Sequence, residues 1–331
     1  MAAECPLGEF SVISRWHNFE GDSTDWDSYV RQLPNANVFQ SSAWADLQRR
    51  AGWIPLRLSS LDAGAALQAF SRSLSRLVSV TWIPGGIAGL GVRIDVSLLQ
   101  SLSGLSDCWV KYVRLGFPSP TSTHHIVASP WRDSHSSLGA ERSVLINLRQ
   151  DEETLLQGAG PNWRRNLKRA RREDLSVRRL NSADARQLDD LEQSMNKTKK
   201  LPAQKVSSGE MLKHFGSEIT VVGVYDQHGE LVSTRGASTF GSIARDMIAA
   251  TSDRGRRNYA SYLATWSLLQ ELRALGTGAY DLGGIDVDRN RGVADFKLGI
   301  GGTVVTYQHE IESCVPRVLS SSIGKLLSLR N

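Results

Sequence analysis

Charge is distributed along this sequence in patterns that could do chemistry. From Arg164 to Arg179, eight of sixteen residues are Arg or Lys, with Arg164, Arg165, Lys168 and Arg169 opening the run. That density exceeds the needs of a routine solvated face. It suits phosphates: those of a tRNA, a nucleotide-sugar diphosphate or an anionic lipid. The run lacks interleaved aromatics, since only Trp163 adjoins it, so contact with a phosphate backbone fits better than base readout. Further on, Asp281 and Asp286 flank Gly283-Gly284. A carboxylate there could orient or deprotonate an attacking ammonium, because only the neutral amine is nucleophilic. It could equally tie its loop by accepting local backbone donors. Lys297, taken alone, reads as a solvated strand-edge side chain.

The elements that would position these groups follow from periodicity and punctuation. Ser41 or Ser42 caps a helix carrying Trp44 and Leu47 on one face, and Gly52 stands where it stops. Val78 to Ile83 alternates as a strand before Pro84-Gly85-Gly86, and Asp95 to Leu105 looks helical. Ser143 to Leu148 is a strand expected to end a first lobe. A helix begins near Thr154, and Pro161 suits the first turn of the next, with Trp163, Leu167 and Ala170 on one face and basic residues on the rest. Strands are expected at Ile219–Tyr225, Leu231–Phe240 and Ile243–Thr251, with a turn at Asp226–Gly229. A helix capped by Asn258 then runs to Leu275, and Gly276 closes it. Ala279–Leu282 and Val304–Ile311 are the last strands, with Gly283-Gly284 opening a loop. Strand-strand-strand-helix-strand argues for α/β architecture of the α+β mixed-sheet kind, and against a doubly wound sheet.

Composition narrows the class. Hydrophobic residues make up 40% and charged residues 22%, a normal globular balance, and the length accommodates two lobes of about 150 residues. The formal charge of +5 favours anionic partners without requiring them. No apolar stretch is long enough for a transmembrane helix, and MAAECPLGEF lacks the pattern of a secretory signal. Cys5, Cys108 and Cys314 form no metal-spaced pair and no disulfide framework, so a reducing cytoplasm is the simplest compartment. The histidines, His124 and His125 included, show no metal spacing. No Gly-x-Ser-x-Gly or phosphate-loop motif supports a hydrolase or NTPase.

One segment has a familiar look. Trp266 to Gly284 reads W-S-L-L-Q-E-L-R-A-L-G-T-G-A-Y-D-L-G-G, and Gly292 to Gly302 continues G-V-A-D-F-K-L-G-I-G-G. This resembles the FemABX transferases, in which a helix ends in Gly, a strand reads Tyr-Asp-Leu/Phe-Gly-Gly, and Phe-Lys precedes a Gly-rich strand entry. Asn37 to Gly52 is similar to the family's Phe-Gln-Ser…Trp helix, Trp82 to Gly86 to its strand-turn, and Trp163 to Glu173 to its basic helix. The resemblance implies two tandem lobes of the GNAT acyltransferase fold, here residues 1–152 and 153–311, with about 312–331 returning to complete the first. It implies transfer of an aminoacyl group from aminoacyl-tRNA to an amine, with no cofactor. Phe296-Lys297 matches the family's Phe-Lys, whose lysine is implicated in transfer. Attack on an aminoacyl ester develops an oxyanion, and a fixed ammonium stabilises it.

Departures from the pattern loosen the acceptor. Four residues after Trp44 the family often has a lysine used on its precursor; this chain has Gln48. Between Asn196 and Met211 there are Lys197, Lys199, Lys200 and Lys205, but no Tyr. Ile87 stands where a Pro is common, and the family's long helical arm is absent or very short. The acceptor is therefore expected to be an amine of a cell-envelope precursor, nucleotide- or lipid-linked, or of a peptide-like metabolite. Peripheral contact with an anionic membrane is compatible with the basic helix. An acyl-CoA N-acyltransferase is the alternative. Its pyrophosphate would need a Gly-rich turn at Asp253–Tyr259, where only Gly255 is small. Arg254, Arg256 and Arg257, beside Tyr259, could still grip phosphates. A third reading is a non-catalytic polyanion-binding protein on the same scaffold.

Overall fold

The computed structural model describes residues 15–104, 106–117, 125–199, 206–288, 290–319 and 322–325. Cys5, Leu105, His124, Lys200 and Lys205 lie outside these, as do 320–321 and 326–331 of the expected returning segment. Two compact units result, one made of Met1–Gly139 with Gln308–Asn331, the other of Ala140–Tyr307. Each is built on a seven-stranded mixed sheet with helices, a mixed α/β architecture as the resemblance implies.

In the first unit the strands are β1 (His17–Asn18), β2 (Ile54–Ser60), β3 (Ala65–Ser73), β4 (Val78–Ile83), β5 (Arg93–Ile94), β6 (Val110–Leu115), β7 (Ile126–Val127) and β8 (Arg132–Asp133). The sheet runs β1-β2-β3-β4-β6, then the late strand Ile311–Val315, then β8, while β5 and β7 pair separately. Helices α1 (Ser23–Arg31), α2 (Ser42–Arg50) and α3 (Val96–Ser103) accompany it. Ser41 caps α2, its Oγ accepting Trp44 N at 3.1 Å, and Asp95 caps α3 through Ser97 N at 2.9 Å. Leu58, Leu67, Ile83, Leu98, Val113 and Leu115 form part of one buried cluster. The late strand is fastened by acids: Glu310 meets Arg114 at 2.5 Å, and Glu312 accepts Tyr112 Oη and Arg132, both at 2.6 Å.

In the second unit β9 (Arg142–Asn147) is followed by α4 (Glu152–Gly158), α5 (Pro161–Ala170), β10 (Leu175–Arg179), α6 (Ala185–Lys199) and α7 (Ser208–Phe215). Then come β11 (Ile219–Asp226), β12 (Leu231–Ser238), β13 (Ile243–Thr251), α8 (Asp253–Arg257), α9 (Ala260–Ala274), β14 (Ala279–Gly284), α10 (Arg291–Gly299) and β15 (Thr303–Thr306). The sheet order is β10-β11-β12-β13-β14-β9-β15. Pro161 opens α5, and Trp163, Leu167 and Ala170 are its buried residues, leaving its Arg and Lys exposed. Trp163 packs against Trp266 of α9, and both share the unit's main core with Val144 and Ile146 of β9. Gly276 follows α9 at φ +75°, the left-handed conformation that glycine adopts without penalty.

Three expectations are corrected. The strand at Ser143–Leu148 does not end the first unit's sheet; β9 pairs with β14 and β15, because its apolar side chains complete the second core. The expected Val304–Ile311 strand is two: β15, and β16 (Ile311–Val315), which belongs to the first unit's sheet. Asn258 does not cap α9; a one-turn helix, α8, precedes it, and Tyr259 occupies the cap position with φ +55°. Residues 291–299 form α10, capped by the Asn290 side chain on Val293 N, so Phe296-Lys297 lies on a helix that precedes the glycine-rich entry to β15.

Candidate active site

The β13–β14 junction organises the charged groups of the second unit. These parallel strands pair through three residue pairs only, ending at Arg245 opposite Asp281. Beyond it, β13 continues to Thr251 paired with β12 alone. On its other side β14 meets β9 through an irregularity between Asp281 and Gly284. Gly283 sits in that irregularity at φ +72°. Side chains from β12, β13, β14 and α10 gather there.

Lys297 comes from α10 and is 8% exposed, so it is not the solvated strand-edge side chain suggested by its sequence neighbours. Its Nζ donates to Gly284 O at 2.8 Å. Burial pushes its pKa below the ordinary lysine range, with Asp246 working against that shift and Arg235 adding to it. Asp246 accepts Arg235 Nε at 2.8 Å and Tyr280 Oη at 2.5 Å, both on Oδ1. Burial raises the Asp246 pKa, although Arg235 and Lys297 both oppose the rise. Tyr280 is driven well above its usual value, first by burial and then by Asp246.

Asp281 is fully buried and has both oxygens engaged. Oδ1 accepts Ser143 Oγ and Gly283 N, the latter at 2.9 Å. Oδ2 accepts Tyr307 Oη and meets Arg245 at 3.0 Å. Burial lifts the Tyr307 phenol to about 12. Asp286 is exposed and accepts Asp288 N at 3.1 Å in the turn leading to α10.

Phe296 precedes Lys297 and joins a row of half-buried aromatics. Its ring centroid lies 5.0 Å from that of Tyr262, which lies 6.3 Å from Tyr259. Arg169 of α5 donates to Tyr259 Oη at 2.9 Å, with its guanidinium 5.3 Å from the ring. The row therefore links the basic helix to the residue beside Lys297. Arg164 donates to Gln157 O at 3.0 Å and Arg165 to Asn162, while Lys168 is exposed. In the turn before α9, Arg254 pairs with Asp226 at 2.9 Å, and Arg256 is held by Asp253 and by Thr251 O. Arg257 is exposed. Trp44 and Gln48 lie in the first unit on α2; Trp44 packs edge-on to Phe39 at 5.0 Å and Gln48 is buried.

Thus Lys297, Phe296 and Asp281 are brought together, and Arg169 joins Tyr259. Sequence reasoning missed Asp246, Arg235, Arg245, Tyr280, Ser143 and Tyr307. A signal was present: Arg235 and the Arg245-Asp246 pair interrupt strands that are otherwise apolar or small, and such charges must find partners.

No protein-family model and no curated protein sequence matches the chain. Solved structures do. One is FemX, with a TM-score of 0.74 at 14% identity, covering 94% of this chain and 99% of that one. The fold is FemX-like. L-PGS from Bacillus licheniformis is also similar, with a TM-score of 0.57 at 12% identity over 91% of this chain and 93% of its own. So is the C-terminal domain of a protein assigned as a lysylphosphatidylglycerol synthetase from Agrobacterium fabrum, at 0.54 and 13% identity over 88% and 92%. The FemX-like fold agrees with the resemblance carried by the Tyr-Asp-Leu-Gly-Gly and Phe-Lys segments. No helix among the described residues is long and apolar enough to cross a membrane.

Proposed function

We propose that the chain is an aminoacyltransferase that moves an amino acid from a charged tRNA to an amine. The observation that carries this reading is the buried Lys297 ammonium, held on Gly284 O beside Asp246, in a chain of FemX-like fold. Attack on an ester carbonyl gathers negative charge on its oxygen, and an ammonium fixed in a water-poor site stabilises that charge without reorganising. Lys297 takes that role. Phe296 and the aromatics leading to Arg169 line the approach, and the exposed cations of α5 meet the donor's phosphates.

The turn at Asp253–Tyr259 supports acyl-CoA poorly. Ser252 Oγ already accepts Gly255 N at 3.0 Å, and a Cβ on Gly255 would lie 2.2 Å from Val232 O, so its glycine serves packing. Arg254 and Arg256 are also paired within the chain. The acceptor amine belongs to a cell-envelope precursor, nucleotide- or lipid-linked, or to a peptide-like metabolite. The lysylphosphatidylglycerol synthetase name of one structural neighbour is compatible with a lipid-linked acceptor at an anionic surface.

Radiolabelled transfer from a charged-tRNA pool, compared with acetyl-CoA across a panel of amines, tests the proposal. RNase-sensitive transfer is expected. Release of CoA would replace it with the N-acyltransferase reading, and polyanion binding without transfer would leave a non-catalytic scaffold.

A further inference from the structure

The carboxylate that faces Lys297 with a vacant oxygen is Asp246. Its Oδ1 is used twice, by Arg235 Nε and Tyr280 Oη. Its Oδ2 accepts no hydrogen bond from the described residues, and the side chain retains 12% exposure. Lys297 and Asp246 make no ion pair with each other, although the two are electrostatically coupled. Between them stands Gly283: a Cβ there would lie 3.6 Å from Lys297 Nζ and 4.0 Å from Asp246 Cβ. Opposite charges left apart when both are largely buried are costly unless something else completes them. Asp281, by contrast, has both oxygens occupied within the fold.

We infer that Asp246 Oδ2 receives the acceptor's ammonium and removes its proton, while Lys297 faces the donor's carbonyl oxygen. This rests on the transferase reading above and narrows it, because an anionic receiver selects a cationic amine over a hydroxyl as nucleophile. The neutral amine nitrogen forms a bond to the ester carbonyl carbon, and the π pair moves onto oxygen opposite Lys297. Collapse breaks the bond to the leaving ribose oxygen, which takes the nitrogen's next proton. Asp246 returns the first proton to solvent. Arg235 and Tyr280 are positioning residues: they hold Oδ1, so that Oδ2 points to substrate. One nitrogen of Arg235, Nη2, is itself buried without a partner, so the guanidinium is placed for Asp246 and not for its own saturation. The charged and titratable groups around Asp246 are Arg235 on β12, Tyr280 on β14 and Lys297 on α10, with Asp281 and Arg245 next to them.

The experiment compares wild-type and Asp246→Asn chains in transfer from charged tRNA to a protonated primary amine and to hydroxylamine, which is largely neutral at pH 7. With the primary amine, kcat/KM is expected to fall by about 10²–10⁴-fold, and with hydroxylamine by less than about tenfold. Equal losses for both nucleophiles, or no loss with the primary amine, would overturn the assignment. Should Asp246→Asn fail to fold, Tyr280→Phe removes one donor to Oδ1 and leaves Oδ2. Activity requires the ionised carboxylate and is lost as pH falls through its pKa, so losing that donor should move the acidic limb of the pH profile upward. An unmoved limb overturns the assignment too. A wild-type chain that transfers from neither charged tRNA nor acyl-CoA overturns both readings, whereas an active wild type with an equally active Asp246→Asn chain overturns only this one.

Discussion

Replacing Gly283 with alanine adds one methyl group between Lys297 and Asp246. Its Cβ would meet Lys297 Nζ at 3.6 Å and Asp246 Cβ at 4.0 Å, both ordinary van der Waals separations, so steric clash contributes little. The backbone term dominates stability. Gly283 has φ +72°, and an L-residue held in left-handed conformation costs about 1–2 kcal/mol. In a unit of this size that lowers Tm by roughly 2–8 °C. The expected effect on transfer is much larger, because on the proposed mechanism the methyl would fill the space between Lys297 and Asp246 where amine and carbonyl meet, and small displacements from reacting geometry cost about 10²-fold. Urea unfolding and initial transfer rates, measured on the same preparation below the melting range, separate the two effects. A variant that loses stability as calculated yet transfers at the wild-type rate would refute the placement of the reaction beside Gly283. Unchanged stability would refute the backbone argument.

Other outcomes follow from the same geometry. Lys297→Ala should abolish transfer while donor binding, measured by filter retention of charged tRNA, stays largely intact. Because burial holds the Lys297 pKa below the usual lysine range and its proposed role needs the ammonium, wild-type activity should decline as pH rises through that lowered value, seen as an alkaline limb in kcat. Changing Arg165, Lys168 and Arg172 to Gln leaves the buried Trp163, Leu167 and Ala170 untouched, so the fold should persist. The slope of log affinity for tRNA against log salt should shrink by about 2–3, as expected for three lost phosphate contacts. Glu310→Ala strands the Arg114 guanidinium, 1% exposed, and should cost about 3–5 kcal/mol in denaturant titration. Pairing it with Arg114→Met should recover part of that loss.

Local features of the sequence determined much of the second unit. Pro161 and the Trp163, Leu167, Ala170 stripe placed α5 and its exposed charge, because a helix must bury its apolar face whatever else it does. Alternation and turns placed β11 and β13, and Gly276 marked the end of α9, since these rest on contacts or conformations a few residues apart. Phe296-Lys297 was legible only as a motif. Tertiary structure decided the rest. The strand Arg142–Asn147 joined the second sheet, and β15 and β16 parted between two sheets, because pairing partners lie far apart in sequence and both choices satisfy local propensity. Lys297 became a buried ammonium only when α10 formed against the end of β14. Asp281, prominent beside its glycines, proved saturated, whereas Asp246, whose charge only marked it as needing some partner, kept one oxygen open. Whether a carboxylate is spent on structure or left for substrate depends on how many donors the fold brings to it, and those donors here come from three strands and the segment after β15.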